Sequence, residues 1–217
     1  MADVPLTPGP PDVGPTKTTV TEALAEPAAG RAGSTWVERL IELGALDRAV
    51  YQTVGTTPTE HLDDPLRQLS RAADASLLWL AIAGGVAATR GARGRRVARE
   101  GIASLAVTAV VVNVGAKSLF RRRRPDRTAH DQTAGRRVAS PSSPSFPSGH
   151  SATSFAFAYT IGRHLPFLGV PIRLLAAAVA YSRVHIGVHY PGDVIVGSIM
   201  GAGTAAAVGA WWDHRPD

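Results

Sequence analysis

Three short stretches hold the residues that could do chemistry, and each lies where an apolar run meets a loop. The first reads Lys117-Ser-Leu-Phe-Arg-Arg-Arg-Arg124-Pro125. A basic segment after an apolar run serves as a membrane-flanking anchor. It also serves as a grip on phosphate, with Lys as a point charge and Arg as a planar fork for two oxygens. The second stretch, Pro147-Ser148-Gly149-His150, opens another apolar run. Backbone N–H groups at a helix start, with Gly permitting close approach, make an anion cradle, although the same turn also works as a plain helix cap. The third is Ser182-Arg183 followed by His189-Tyr190-Pro191-Gly192-Asp193. A lone His is more often structural than catalytic. Here Asp193, four residues on and near a helix start, is able to hold the His189 ring and fix its tautomer. His185 sits four residues before His189 and competes for that role, or for a two-His metal site. Asp193 is the one acidic third ligand close by, and Pro191 interrupts any shared helix.

These stretches need elements to position them. The chain has 217 residues, 45% of them hydrophobic, and a formal net charge of +6, which predicts one domain plus a tail. It has no cysteine, which removes disulfides, thiol nucleophiles, Cys-ligated zinc and iron–sulfur clusters together. Apolar runs extend from Ala75 to Thr89, Gly101 to Ala116, Ala152 to Gly162, Leu165 to Tyr181 (interrupted by Arg173) and Val194 to Trp212. Asp64-Pro65 reads as a helix start, with that helix continuing to Thr89. Taken singly, only the last run approaches the ~20 residues that cross a bilayer. Taken together, runs this rich in Ala, Gly and Val leave few polar faces to solvate and pack closely in lipid. The pattern predicts an all-α integral membrane bundle of about five spans, multi-pass in the cell membrane, with a soluble helical bundle as the alternative.

The remainder of the chain divides as 1–33, 34–64 and 65–217. Residues 1–33 are rich in Pro, Thr, Ala and Gly without apolar periodicity, and read as a disordered tail lacking the marks of a signal peptide. Trp36, Val37, Leu40, Ile41, Leu43, Leu46 and Val50 fall mostly at helical spacing, predicting an N-terminal amphipathic helix at the membrane interface, with a linker to residue 64. Gly44 and Asp47 weaken its middle and leave two shorter helices open. Arg121, Arg122 and Arg123 are expected to meet lipid headgroups. Trp211 and Trp212 are expected to anchor the last helix.

In order, the three stretches resemble the signature of the type-2 phosphatidic acid phosphatase and vanadium haloperoxidase superfamily: Lys, six residues, Arg-Pro; Pro-Ser-Gly-His; Ser-Arg, five residues, His, three residues, Asp. Each position is filled between Lys117 and Asp193, a far more specific match than a lone glycine loop. The resemblance covers about the last two thirds of the chain and implies particular roles. His189 attacks phosphorus to give a phosphohistidine, Asp193 orients it, and His150 protonates the leaving oxygen and then activates water. Lys117, Arg124, Arg183, the Ser148 hydroxyl and the Gly149 amide surround the phosphoryl oxygens. No metal or other cofactor is called for.

The implied activity is hydrolysis of a lipid phosphate or diphosphate, the polyprenyl type being favoured, including polyprenyl-linked phosphoribose phosphate. The partners are then the lipid phosphate and membrane lipids rather than nucleic acid. The alternatives are a phosphatidic acid or phosphatidylglycerol phosphate phosphatase, a vanadate-dependent haloperoxidase, and a non-catalytic membrane lipid-binding protein.

Overall fold

The computed structural model of the chain describes residues 35–126, 136 and 142–214, and every regular element among them is a helix. The segment expected to be a disordered tail, 1–33, lies outside the described residues. The helices are α1 Trp36–Thr56, α2 Glu60–Ala72, α3 Leu77–Thr89, α4 Gly91–Leu119, α5 Gly149–His164, α6 Pro166–His185 and α7 Pro191–Asp213.

Helix α5 is the centre of the bundle and packs against α7, α6 and α4. Small residues make this possible. A Cβ added at Gly197 would lie 2.5 Å from the Ser148 carbonyl oxygen, and one at Gly201 would lie 1.9 Å from the Ala152 oxygen. This four-residue spacing of glycines lets two backbones touch where the hydrophobic effect supplies no drive between helices. On the other side of α5, Phe157 and Ile161 join Trp79, Val97, Leu105 and Val179 in one buried cluster, with the Trp79 and Phe157 rings 5.5 Å apart.

The outward faces are apolar too. Val110 and Val114 of α4, Val170 and Leu174 of α6, and Ile195 and Ile199 of α7 are all exposed, the arrangement expected of a bundle whose solvent is lipid. By length and composition α4, α6 and α7 are able to cross a membrane, and α2 with α3 forms a fourth span if the bent pair is counted as one. Helix α5 has 16 residues and so is about 24 Å long, short of the ~30 Å hydrocarbon core. The expected five spans are therefore five helical runs, of which three or four pass as spans in their own right.

One expectation holds and two change. Helix α1 is continuous over 21 residues, started by a capping box in which Thr35 Oγ1 accepts from the Glu38 N–H and Glu38 accepts from the Thr35 N–H. Gly44 and Asp47 do not divide it. Helix α2 begins at Glu60, so Pro65 lies inside it rather than at its start. The cost is one backbone bond, that to the His61 carbonyl. Lastly, the helix expected to run on to Thr89 is broken by a turn at Asp74–Ser76, where Ala75 and Ser76 take φ values of 49° and 61° and the axis bends by 61°. No Gly or Pro marks that bend in the sequence.

The close approach of α5 and α7 is directly testable. Gly201→Ala should lower the thermal unfolding midpoint in detergent, the strain being about 1–3 kcal/mol. Gly203→Ala, where a Cβ meets nothing within 4 Å, should leave the midpoint unchanged.

Candidate active site

A cavity of about 340 Å³ opens where the end of α4, the start of α5, the end of α6 and the α2–α3 bend converge, and Lys117, Arg124, Gly149, His150, Arg183 and His189 all line it. Six of the eight expected site residues thus share one pocket. Asp193 and Ser148 stand behind it.

His189 reaches the pocket because of how α6 ends. Gly187, at φ 75°, takes the left-handed conformation that closes a helix, and the Val188 and His189 N–H groups both fold back to the Arg183 carbonyl. Pro191 then opens α7, and Asp193 in its first turn accepts from the Tyr190 N–H at 3.0 Å. The same carboxylate lies 3.5 Å from Nδ1 of His189, a loose contact that a small ring rotation tightens. Arg124 Nη1 is 3.3 Å from Nε2. A carboxylate at Nδ1 and a guanidinium donor at Nε2 select the tautomer with the proton on Nδ1 and the lone pair of Nε2 facing the cations. Burial pushes the His189 imidazole down to about 4; Asp193 resists, while Arg124 and Arg183 add to the fall. The ring is therefore neutral, with its lone pair available, throughout the physiological range.

The cations are held individually. Arg124 donates to the carbonyls of Ser143 (2.9 Å), Val188 (2.8 Å) and Pro144 (3.4 Å) and to the Ser143 hydroxyl (3.2 Å), which fixes its fork against the turn that carries His189. Arg183 donates to the Ser70 hydroxyl, and its buried Nε has no hydrogen-bond partner among the described residues. Lys117 follows a π-helical segment, Val111–Ala116, of the kind that recurs at functional sites because it re-aims the side chains after it. A Cβ on Gly149 would fall 3.3 Å from Asn113 Oδ1 and 3.8 Å from Lys117 Nζ, so any side chain there would fill the cradle.

Two side chains have partners beyond those expected. Ser148 is buried and does not face the cavity: as N-cap of α5 its hydroxyl oxygen accepts from the Ser151 hydroxyl (2.9 Å) and N–H (3.4 Å). Its backbone N–H donates to the Asp193 carbonyl at 2.9 Å, which ties the second stretch to the third. Arg122 is not merely a headgroup contact. It donates to Asp193 Oδ1 (2.9 Å) and to Asp47 Oδ2 (2.6 Å), with its guanidinium 4.1 Å above the Tyr190 ring. Asp47 in turn accepts from the Gly192 N–H at 2.6 Å, so α1 braces the carboxylate behind His189. His185 turns away to a separate cluster, 2.8 Å from Asp63, which also pairs with the buried Arg136 at 2.8 Å. The contacts of Arg122, Asp47 and Asp63 join positions distant in the chain, and no spacing rule reveals them. Asn113, one turn before Lys117 and lining the same cavity, is within reach of a helical-spacing argument.

The sequence model described as the PAP2 superfamily matches residues 100–217, more than half of the chain and all three stretches. The chain belongs to the PAP2 superfamily. Among its relatives is the decaprenylphosphoryl-5-phosphoribose phosphatase of Mycobacterium tuberculosis, 38% identical over 145 residues that make up 65% of this chain and 76% of the relative. Two solved PAP2 folds superpose on it. The transmembrane PAP2-type phosphatidylglycerolphosphate phosphatase of Bacillus subtilis gives a TM-score of 0.60 at 23% identity, covering 80% of this chain and 88% of that one. Aquifex aeolicus LpxE gives 0.63 at 19% identity, covering 74% and 93%. These two show the fold, a membrane helical bundle.

Two measurements test the PAP2 site as described. In ring-labelled ¹⁵N NMR, His189 should stay neutral at pH 6 and protonate only as the pH falls through about 4; a midpoint at the ordinary 6.5 would contradict its burial. Arg122→Gln should lower kcat about tenfold with little change in KM, well short of the ~10⁴ that loss of an orienting carboxylate costs a serine hydrolase.

Proposed function

We propose that this PAP2 protein is a phosphatase of the cell membrane that hydrolyses a lipid phosphate of the polyprenyl type, with a polyprenyl-linked sugar phosphate such as a phosphoribose phosphate as the favoured substrate. One observation carries the chemistry: a neutral imidazole backed by a carboxylate faces a pocket shared by Lys117, Arg124 and Arg183. The preference for polyprenyl rests on the mycobacterial relative, which acts on a decaprenylphosphoryl-5-phosphoribose substrate and aligns over most of its length.

In this mechanism the three cations and the Gly149 amide bind the phosphoryl oxygens and offset the charge that develops on them. The Nε2 lone pair of His189 attacks phosphorus in line, and the bond to the ester oxygen breaks with its electron pair passing to that oxygen. His150 supplies the proton, and the alcohol departs. His150, now neutral, takes a proton from water as the water oxygen attacks the phosphohistidine, and the P–N bond breaks to return the pair to His189. Asp193 stabilises the cationic ring between the two steps. The protein's own side chains carry the positive charge that a divalent cation supplies in many phosphatases. In the same reading 65–217 form the phosphatase body and α1 lies at the interface, its exposed Trp36, Leu40 and Ile41 facing lipid.

The test is phosphate release from a panel of polyprenyl phosphates, polyprenyl-linked sugar phosphates and glycerolipid phosphates. Purified protein should release phosphate best from the polyprenyl class, should keep its rate in EDTA, and should lose it with His189→Ala. No release from any member, or full activity in His189→Ala, would refute the reading; a preference for glycerolipid phosphates would move the substrate.

A further inference from the structure

The contact that the mechanism above leaves unused is the one on His150. Nε2 of this ring lies 2.8 Å from Asp74 Oδ1, and a carboxylate only accepts, so Nε2 carries the proton. Nδ1 makes no hydrogen bond among the described residues and remains for the leaving oxygen. Asp74 owes its position to the bend: it opens the turn at Asp74–Ser76, and the next two residues hold left-handed backbone angles without being glycine. Such angles cost free energy and cluster at functional sites. Ala73, Ala75 and Ser76 of the same bend line the cavity. Burial opposes a charged His150 ring, the positive charges of Arg183 from α6 and Lys117 from α4 add to that, and Asp74 is the one group that favours the protonated form.

We propose that Asp74 is the positioning residue of the general acid, and that it suits the site to phosphomonoesters of alcohols rather than to diphosphates. The inference rests on the proposed role of His150. An alkoxide is a poor leaving group and must take the Nδ1 proton as the P–O bond breaks, with the bond's electron pair staying on oxygen. The leaving phosphate of a diphosphate is stable as an anion and departs without that proton. An oriented, charge-supported acid therefore accelerates the first reaction far more than the second.

The experiment compares Asp74→Asn with the wild type on an alkyl phosphomonoester, p-nitrophenyl phosphate and an isoprenyl diphosphate, at equal amounts of protein shown by gel filtration to be folded. If Asp74→Asn does not purify folded, Asp74→Ser carries the same comparison. General acids contribute about 10²–10⁴, so loss of the orienting carboxylate should lower kcat about 10- to 100-fold on the alkyl ester and less than about threefold on the other two. In a His150→Ala background the substitution should have no further effect. Equal losses on all three substrates, or an undiminished loss in His150→Ala, would overturn the proposal. A wild-type protein that releases phosphate from none of them would instead overturn the phosphatase reading itself.

Discussion

Three positive charges share one small pocket with no carboxylate among its described lining residues, and the rest of the structure answers to that constraint. Lys117, Arg124 and Arg183 repel one another in surroundings of low dielectric, where like charges weigh far more than in water. Among the described residues, neutral groups make the hydrogen bonds that hold the two arginines. Backbone carbonyls and a serine hold Arg124, the Ser70 hydroxyl meets Arg183, and Lys117 sits at the end of a helix whose π segment sets its direction. A site built in this way has its charge balanced by a multiply charged anion, and a phosphate ester fits that description. Two carboxylates beside the pocket, Asp193 and Asp74, each lie against a histidine, although the Asp74 charge also reaches Arg183.

The bundle serves this arrangement by bringing chain ends together. The start of α5 and the turn between α6 and α7 meet through the Ser148 to Asp193 backbone bond, and Gly197 and Gly201 let α7 approach α5 closely enough for that bond to form. The opposite end of the bundle carries its own buried acid: Glu100 pairs with His164 at 2.8 Å and Arg163 at 3.4 Å, closing the end of α5 away from the pocket. Helix α1, outside the bundle core, reaches the turn that carries His189 through Asp47 and through Tyr51, whose ring lies 5.3 Å from that of Tyr190. A helix whose exposed face suits the membrane surface is thus in direct contact with the support of His189.

Much of the site is legible in the sequence because it is local. Lys117 with Arg124, Gly149 with His150, and His189 with Asp193 are each fixed by spacing within one helix end or turn, so a linear motif carries their geometry. The all-helical membrane fold is legible for a similar reason, since runs of Ala, Gly and Val have no other means of burying their surface. What the sequence hides is long-range or strained. Asp74 meets His150 across 76 positions and Arg122 meets Asp193 across 71, and no periodicity encodes either. The bend that aims Asp74 contains only Asp, Ala and Ser, residues that sit as readily in a helix or a cap, so tertiary packing rather than local preference sets it. Ser148 is local in another way: its hydroxyl oxygen accepts at the start of α5, as a helix start needs.

The central claim is that His189 forms a covalent bond to phosphorus, and the direct measurement is to trap it. Protein mixed with a ³²P-labelled lipid phosphate and quenched in base within milliseconds should carry label that is stable in base, lost in acid and located on the peptide containing His189. Labelling at another residue, or turnover with no labelled protein at any quench time, would contradict the account.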